Sequence, residues 1–205
     1  MTLDEALALN PLVAILRGVE PGEAVAHCEA LHDAGFRAVE IPMNSPSPLD
    51  SVARVAAAVG DRMAVGAGTV LSLAAVDGVK AAGGVFMVSP NVDVATIAHA
   101  VASGLDTLPG FATASEAFAA LGAGSRRLKL FPAATYGPGH LKALKAVLPP
   151  AVGVWAVGGV GPAQMAAWRA VGVAGFGLGS ELYRPGQSPE ETGAKARAAI
   201  AAWAA

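Results

Sequence analysis

Residues Arg37 to Val70 read RAVEIPMNSPSPLDSVARVAAAVGDRMAVGAGTV. Two apolar, β-rich runs, Arg37–Ile41 and Met63–Ala67, enclose a helical pattern from Pro48 to Val59. The runs are mostly apolar rather than cleanly alternating, which is the pattern of strands covered on both faces. Pro48 opens the helix at a position where a missing N–H costs nothing, and Gly60 follows it where a left-handed cap is expected.

The same strand–helix unit recurs on either side. Before it come the run Leu12–Leu16 and a helical pattern from Pro21 to Ala34. After it come Leu73–Ala82, then Val85–Val88 with Val94–Ala102, Leu105–Leu108 with Ala114–Leu121, and Arg127–Phe131 with His140–Leu148. Gly153–Val157 with Pro162–Ala170 and Gly175–Leu178 with Pro189–Trp203 complete the series. Pro21, Pro138 and Pro162 sit near first-turn positions, and Gly35, Gly104 and Gly172 follow helices. Units of about 25 residues fill the chain. Alternation of this kind predicts a parallel sheet covered by helices, and eight units predict a closed (β/α)₈ barrel of the α/β class. One domain spanning 1–205 is expected, with a short helix from Leu3 to Leu9 before the first strand.

Composition narrows the functional classes. Hydrophobic residues make up 54% of the 205 and charged residues 15%, so the chain can bury a large core. The formal net charge is −2 and no basic stripe occurs, which argues against nucleic acid as a partner. No apolar run approaches a membrane span, and the N-terminus is acidic where a secretory leader would be basic. A cytoplasmic location is expected. The single cysteine, Cys28, lies in an apolar helical pattern and reads as a buried, inert thiol.

Barrels of this kind place reacting groups at the carboxyl ends of their strands. Few polar residues stand there. Lys129 lies between Leu128 and Leu130 and so points to the other face of its strand, one face of which is the barrel interior. Enclosed, its amine would be held partly neutral and nucleophilic; the competing reading is a snorkelling lysine whose ammonium reaches water. Glu40 is a charge inside the apolar run Ala38-Val39-Glu40-Ile41-Pro42. It reads either as a proton-transfer group beside such a lysine or as half of a structural ion pair with Arg17 or Lys129.

Arg17, next to Gly18, suits a carboxylate, or lies on the surface. Thr69, in Gly66-Ala67-Gly68-Thr69, offers donors to an anion, or simply ends a tight turn. Gly158-Gly159 and Gly179-Ser180 follow the seventh and eighth runs, where barrels commonly bind phosphate through backbone amides. His27, His32 and His99 fall on helical patterns, and none of the four histidines stands at a strand end with carboxylate partners, so no metal site is expected. Neither a nucleophile elbow nor a GxGxxG turn opening the first helix is present.

Seven segments carry a family resemblance: Ala14–Gly18, Ala38–Pro42, Val65–Val70, Ser89-Pro90-Asn91, Leu108-Pro109-Gly110, Leu128–Pro132 and Val157–Val160. In this order and spacing the chain, over essentially its whole length, resembles the 2-keto-3-deoxy-6-phosphogluconate and 2-keto-3-deoxy-6-phosphogalactonate aldolases. The resemblance implies a homotrimeric class I aldolase, without a cofactor, acting on a phosphorylated 2-keto-3-deoxy sugar acid. It implies Lys129 as the imine-forming lysine, Glu40 as the general acid/base, Thr69 as a ligand for the pyruvyl carboxylate, and Pro90 as a group that orients water. Phe131 would wall the site, and Gly158, Gly159, Gly179 and Ser180 would cradle the phosphate.

Gluconate-type members carry an arginine in a Thr-Leu-Arg-Thr stretch after the strand-two glutamate. Here that stretch reads Pro42-Met43-Asn44-Ser45, and Arg17 stands at the end of the first strand instead, as in galactonate-type members. Val157 occupies a position where gluconate-type members tend to have threonine. The two substrates differ only at C4, so one contact near Val157, worth ~1–3 kcal/mol, is enough to separate them. The galactonate branch is the expectation. A gluconate-specific or dual-specificity aldolase, a phosphate-binding barrel isomerase and a non-catalytic sugar-acid phosphate binder are the alternatives.

Overall fold

The computed structural model describes residues 1–205. Helix α1 (Leu3–Leu9) leads into β1 (Leu12–Ile15), α2 (Ala24–Ala34), β2 (Ala38–Pro42), α3 (Pro48–Val59) and β3 (Ala64–Gly68). Then follow α4 (Leu73–Ala81), β4 (Phe86–Ser89), α5 (Val94–Ala102), β5 (Asp106–Phe111), α6 (Ala114–Gly122) and β6 (Arg127–Leu130). The chain ends with α7 (Ala133–Lys145), β7 (Gly153–Val157), a 3₁₀ turn (Pro162–Gln164), α8 (Met165–Arg169), β8 (Gly175–Leu178) and α9 (Pro189–Ala204). The strands pair in chain order, all parallel, and β8 closes onto β1. The expected (β/α)₈ barrel with its leading helix is what forms. No helix is long and apolar enough to cross a membrane.

Period-2 alternation divides each strand between two cores. Leu12, Ala14, Val39, Ile41, Leu128, Leu130, Phe176 and Leu178 belong to the large core that the strands share with the surrounding helices. Val13, Ile15, Ala38, Ala64, Phe86, Val88, Leu108, Trp155 and Val157 form a second cluster, the barrel interior, which Leu3 and Ala6 of α1 join from below. The interior mixes large and small residues. A Cβ on Gly66 would lie 2.6 Å from the Phe86 ring, and one on Gly175 2.4 Å from Trp155 Nε1. These glycines make room for the aromatic rings beside them. The Trp155 N–H donates to the Pro11 carbonyl at 2.9 Å, so the buried ring leaves no donor unpaired.

Charges fasten the bottom of the barrel. Arg127, at the start of β6, pairs with Asp4 of α1 and donates to Asp106 at 2.9 Å; Arg126 reaches the same two carboxylates. Thr2 caps α1, accepting from Glu5 N at 3.3 Å while the Glu5 carboxylate accepts from Thr2 N at 2.8 Å.

Some boundaries differ from the expectation. Residues 21–23 form a turn and α2 begins at Ala24, without a side-chain cap. The helix expected from His140 instead spans Ala133–Lys145 and bends at Gly137, whose φ of 74° and ψ of 168° leave the helical region. Pro138 starts only its second part. The first turn is tied down by Ala134 N, which donates to the Gly158 carbonyl at 3.0 Å, a contact without periodicity in sequence. The Pro162 segment divides into a 3₁₀ turn and a short α-helix. Gly35, Gly104 and Gly172 are left-handed as expected, whereas Gly60, at φ −65°, is not.

Candidate active site

Glu40 stands in the middle of β2, where it pairs with Ile15 of β1 and Gly66 of β3. Lys129 is the third residue of β6, between Gly110 of β5 and Trp155 of β7. Their neighbours Val39, Ile41, Leu128 and Leu130 face the helices, so both charges point into the barrel. They are 3% and 6% exposed. Together they border a small void also walled by Val13, Ile15, Val88, Leu108, Val157 and Gly177.

Burial in an apolar chamber disturbs the protonation of both groups, and each charge partly offsets that effect on the other. Burial pushes the Glu40 carboxyl above the usual carboxylate range, against the opposing pull of Lys129 and Arg17. Burial pushes the Lys129 ammonium below the usual lysine range; Glu40 opposes this shift and the Arg17 charge adds to it. Both shifts run toward the neutral acid and the neutral amine, the forms needed to donate a proton and to attack a carbonyl. Glu40 Oε2 is buried and makes no hydrogen bond within the protein. Such an atom costs ~1–3 kcal/mol and marks a site built to engage something else.

Above this chamber opens a cavity of ≈480 Å³, which shares Ile15, Val157 and Gly177 with it. Seven residues singled out in the sequence line it: Arg17, Phe131, Val157, Gly158, Gly159, Gly179 and Ser180. The Phe131 ring lies 4.8 Å from Lys129 Nζ, a cation–π distance. That ring also packs on Gly158, where a Cβ would come within 3.0 Å of it. Gly158 and Gly159 have φ of 96° and 69°, a left-handed pair that leaves β7 in a tight turn.

Thr69 and Pro90 fall elsewhere. They follow β3 and β4 at the same end of the barrel, Thr69 at φ 56°, but neither lines the cavity. The Pro90 carbonyl packs over Gly110, where a Cβ would lie 2.4 Å away.

The structure also adds residues. Arg17 donates to Asn44 Oδ1, and Gly18 N donates to Ser45 Oγ at 3.0 Å, so the loop after β2 holds the loop after β1. Glu181, Tyr183 and Arg184 join the cavity wall from the loop after β8. Tyr183 donates to Glu23 Oε1 at 2.9 Å. In the sequence these positions read as ordinary loop residues, because their partners are distant. The histidines serve other ends: His27 bonds Thr192 at 2.9 Å, His99 pairs with Asp77 at 2.7 Å and His140 bonds the Ala112 carbonyl at 2.6 Å. No group of three or more His, Cys, Asp or Glu side chains converges anywhere. Cys28 is buried, and burial pushes its thiol far above the usual range.

The family model described as KDPG and KHG aldolase matches residues 3–191. The chain belongs to this aldolase family. It is 51% identical over 193 residues to the 2-dehydro-3-deoxy-6-phosphogalactonate aldolase of Escherichia coli (strain K12), covering 94% of each chain. A solved structure described as native KDPGal superposes with a TM-score of 0.93 at 50% identity, covering 95% of this chain and 94% of the other. The 2-dehydro-3-deoxy-phosphogluconate aldolase of Zymomonas mobilis is 33% identical over 145 residues, covering 71% of this chain and 68% of its own. This aldolase thus sits nearer in sequence to the galactonate-type relative than to that gluconate-type one.

Proposed function

We propose that this aldolase cleaves 2-dehydro-3-deoxy-6-phospho-D-galactonate to pyruvate and D-glyceraldehyde 3-phosphate through an imine on Lys129. The observation that carries the reading is the enclosed Lys129–Glu40 pair, each shifted toward its neutral form by burial, at the floor of a cavity with Arg17 on its wall. The neutral Lys129 amine adds to the C2 ketone. Glu40 gives its proton to the carbinolamine hydroxyl, which leaves as water, and an iminium forms. Glu40, now a carboxylate, takes the proton of the C4 hydroxyl. The C3–C4 bond breaks, its electron pair flowing to the iminium nitrogen, and the triose phosphate departs as the aldehyde. Glu40 returns the proton to C3 of the enamine, and hydrolysis releases pyruvate and restores the lysine.

In this reading Arg17 holds the substrate carboxylate as a guanidinium fork, with Thr69 as a further ligand. Pro90 orients water, and Phe131 walls the reacting centre. Gly158, Gly159, Gly179 and Ser180 cradle the phosphate, and Val157 meets the C4 region. We propose further that the chain acts as one domain, in the cytoplasm, as a homotrimer. Leu71, Leu73 and Val94, at 56%, 46% and 52% exposure, are apolar surface of the kind that subunit contacts cover. The gluconate-type alternative is favoured by no residue of the cavity.

The test is mass spectrometry of protein incubated with pyruvate and borohydride, wild type beside Lys129→Ala. A reduced pyruvyl adduct on Lys129, absent from the folded variant, is the expected result. A folded wild type that acquires no adduct would defeat the imine mechanism and favour an isomerase or a binding protein.

A further inference from the structure

We propose that Arg184 is the phosphate-reading residue of this aldolase, the cation that its glycine loops lack; the proposal rests on the function proposed above. Gly158, Gly159 and Gly179 offer a phosphate backbone amides, and Ser180 adds a hydroxyl. None of them carries charge, whereas a phosphate monoester carries close to two negative charges at neutral pH. Arg184 lines the same cavity as these residues. Its Nε donates to the Ser180 carbonyl at 3.2 Å, which ties the guanidinium to the residue at the end of the cradle. It forms no salt bridge, and its terminal nitrogens donate to no other protein group. A fork with two free donor nitrogens suits two phosphate oxygens.

The two arginines of the wall divide the cavity between them. The Arg17 charge acts on both Glu40 and Lys129, which places it at the reacting end. Arg184 stands in the loop after β8, on the wall that Gly179 and Ser180 form. A substrate with a carboxylate beside its reacting ketone and a phosphate at its far end is matched by this order. Glu181 shares the wall and would repel a dianion, a repulsion that a cation beside it offsets.

The loop is braced to hold Arg184 there. Leu182 N and Tyr183 N donate to the Gly179 carbonyl at 2.8 and 2.9 Å. Tyr183, next to Arg184 in the chain, bonds Glu23 of the turn before α2, and Gln187 Nε2 donates to the Leu182 carbonyl at 2.9 Å. A backbone fixed on both sides of an arginine lowers the entropy lost when its side chain closes on a ligand.

The experiment compares wild type, Arg184→Ala and Arg184→Lys on the phosphorylated substrate and on the same sugar acid without phosphate. The loss of kcat/KM in Arg184→Ala is expected to be about tenfold or more greater on the phosphorylated substrate, mostly in KM, with partial recovery in Arg184→Lys. Calorimetric titration with glycerol 3-phosphate, which needs no turnover, is expected to show a matching loss of affinity. Equal losses on both substrates, or unchanged glycerol 3-phosphate binding, would overturn the role of Arg184. Pyruvate trapping on wild type involves no phosphate and so tests the aldolase reading separately. Were trapping to fail, the glycerol 3-phosphate titration would still decide for or against Arg184.

Discussion

The Glu40 carboxyl group rests on the Cα of Gly68, so closely that a Cβ there would lie 2.7 Å from the carboxyl carbon. A glycine on the neighbouring strand thus fixes where the buried acid can stand. Gly68 lies in β3 outside the left-handed region, so its backbone accepts alanine and only the space is at issue. Gly68→Ala should displace the carboxyl group from its seat. Misplacement of a reacting group by about 1 Å costs on the order of a hundredfold in rate. The expected outcome is a fall in kcat of that order, with a loss of stability of ~1–3 kcal/mol from overpacking. A variant that folds and turns over like wild type would show that Glu40 needs no such seat.

The pH dependence of pyruvate trapping tests the electrostatics of the pair. Trapping on Lys129, as proposed, requires its neutral amine. An exposed lysine titrates near 10.4, and burial holds Lys129 below that range, so the trapping rate should reach its plateau at lower pH. Arg17 adds to the downward shift and Glu40 opposes it. Arg17→Met removes a cation, makes the ammonium easier to form, and should move the midpoint to higher pH. Glu40→Gln removes an anion and should move it to lower pH. Midpoints that stay put, or that move with the opposite signs, would mean that these charges do not govern the amine.

Lys129 and Glu40 were legible in the sequence because a charge inside an apolar strand violates a strong local rule. The barrel was legible because its units repeat with a regular period and carry glycine and proline at their edges. What stayed hidden depends on partners far away in the chain. Asn44 is 27 residues from Arg17 and Tyr183 is 160 residues from Glu23, so nothing local marks either contact. Arg184 reads as one more loop arginine until the barrel brings the loops after β7 and β8 around one cavity, which it lines. The start of α7 is hidden for a related reason: its first turn is held by the Gly158 carbonyl, while Pro138 gives a strong but later start signal.

Leu3 separates stability from chemistry. It is fully buried in the interior cluster, in α1, whose Asp4 pairs with Arg127 at the start of β6. Leu3→Ala should cost ~2–5 kcal/mol as a core truncation. For a chain of this size each kcal/mol lowers Tm by roughly 2–4 °C. Thermal unfolding should show that loss, while kcat at 25 °C stays within about twofold, since the stabilities of small proteins leave a few kcal/mol to spare. A large fall in kcat with unchanged Tm would mean that α1 acts on the site through the barrel core.

Val157 is the last point of leverage. Its side chain is 5% exposed and packs on Gly177, where a Cβ would lie 2.8 Å from a Val157 methyl, so it is held between the chamber and the cavity. A valine there presents only methyl groups to a substrate hydroxyl, whereas a threonine of the same shape presents a donor and an acceptor. The two C4 epimers place their hydroxyl on opposite faces, so a hydroxyl on the wall can help one and not the other. Val157→Thr should therefore shift the ratio of kcat/KM values toward the gluconate-type substrate by about tenfold or more, the range of a single-contact discrimination. Parallel assays of both epimers with both proteins measure it. An unchanged ratio would remove Val157 as the discriminator and direct attention to the Arg17–Asn44 pair, whose charge is placed from the end of β1 rather than from the loop after β2.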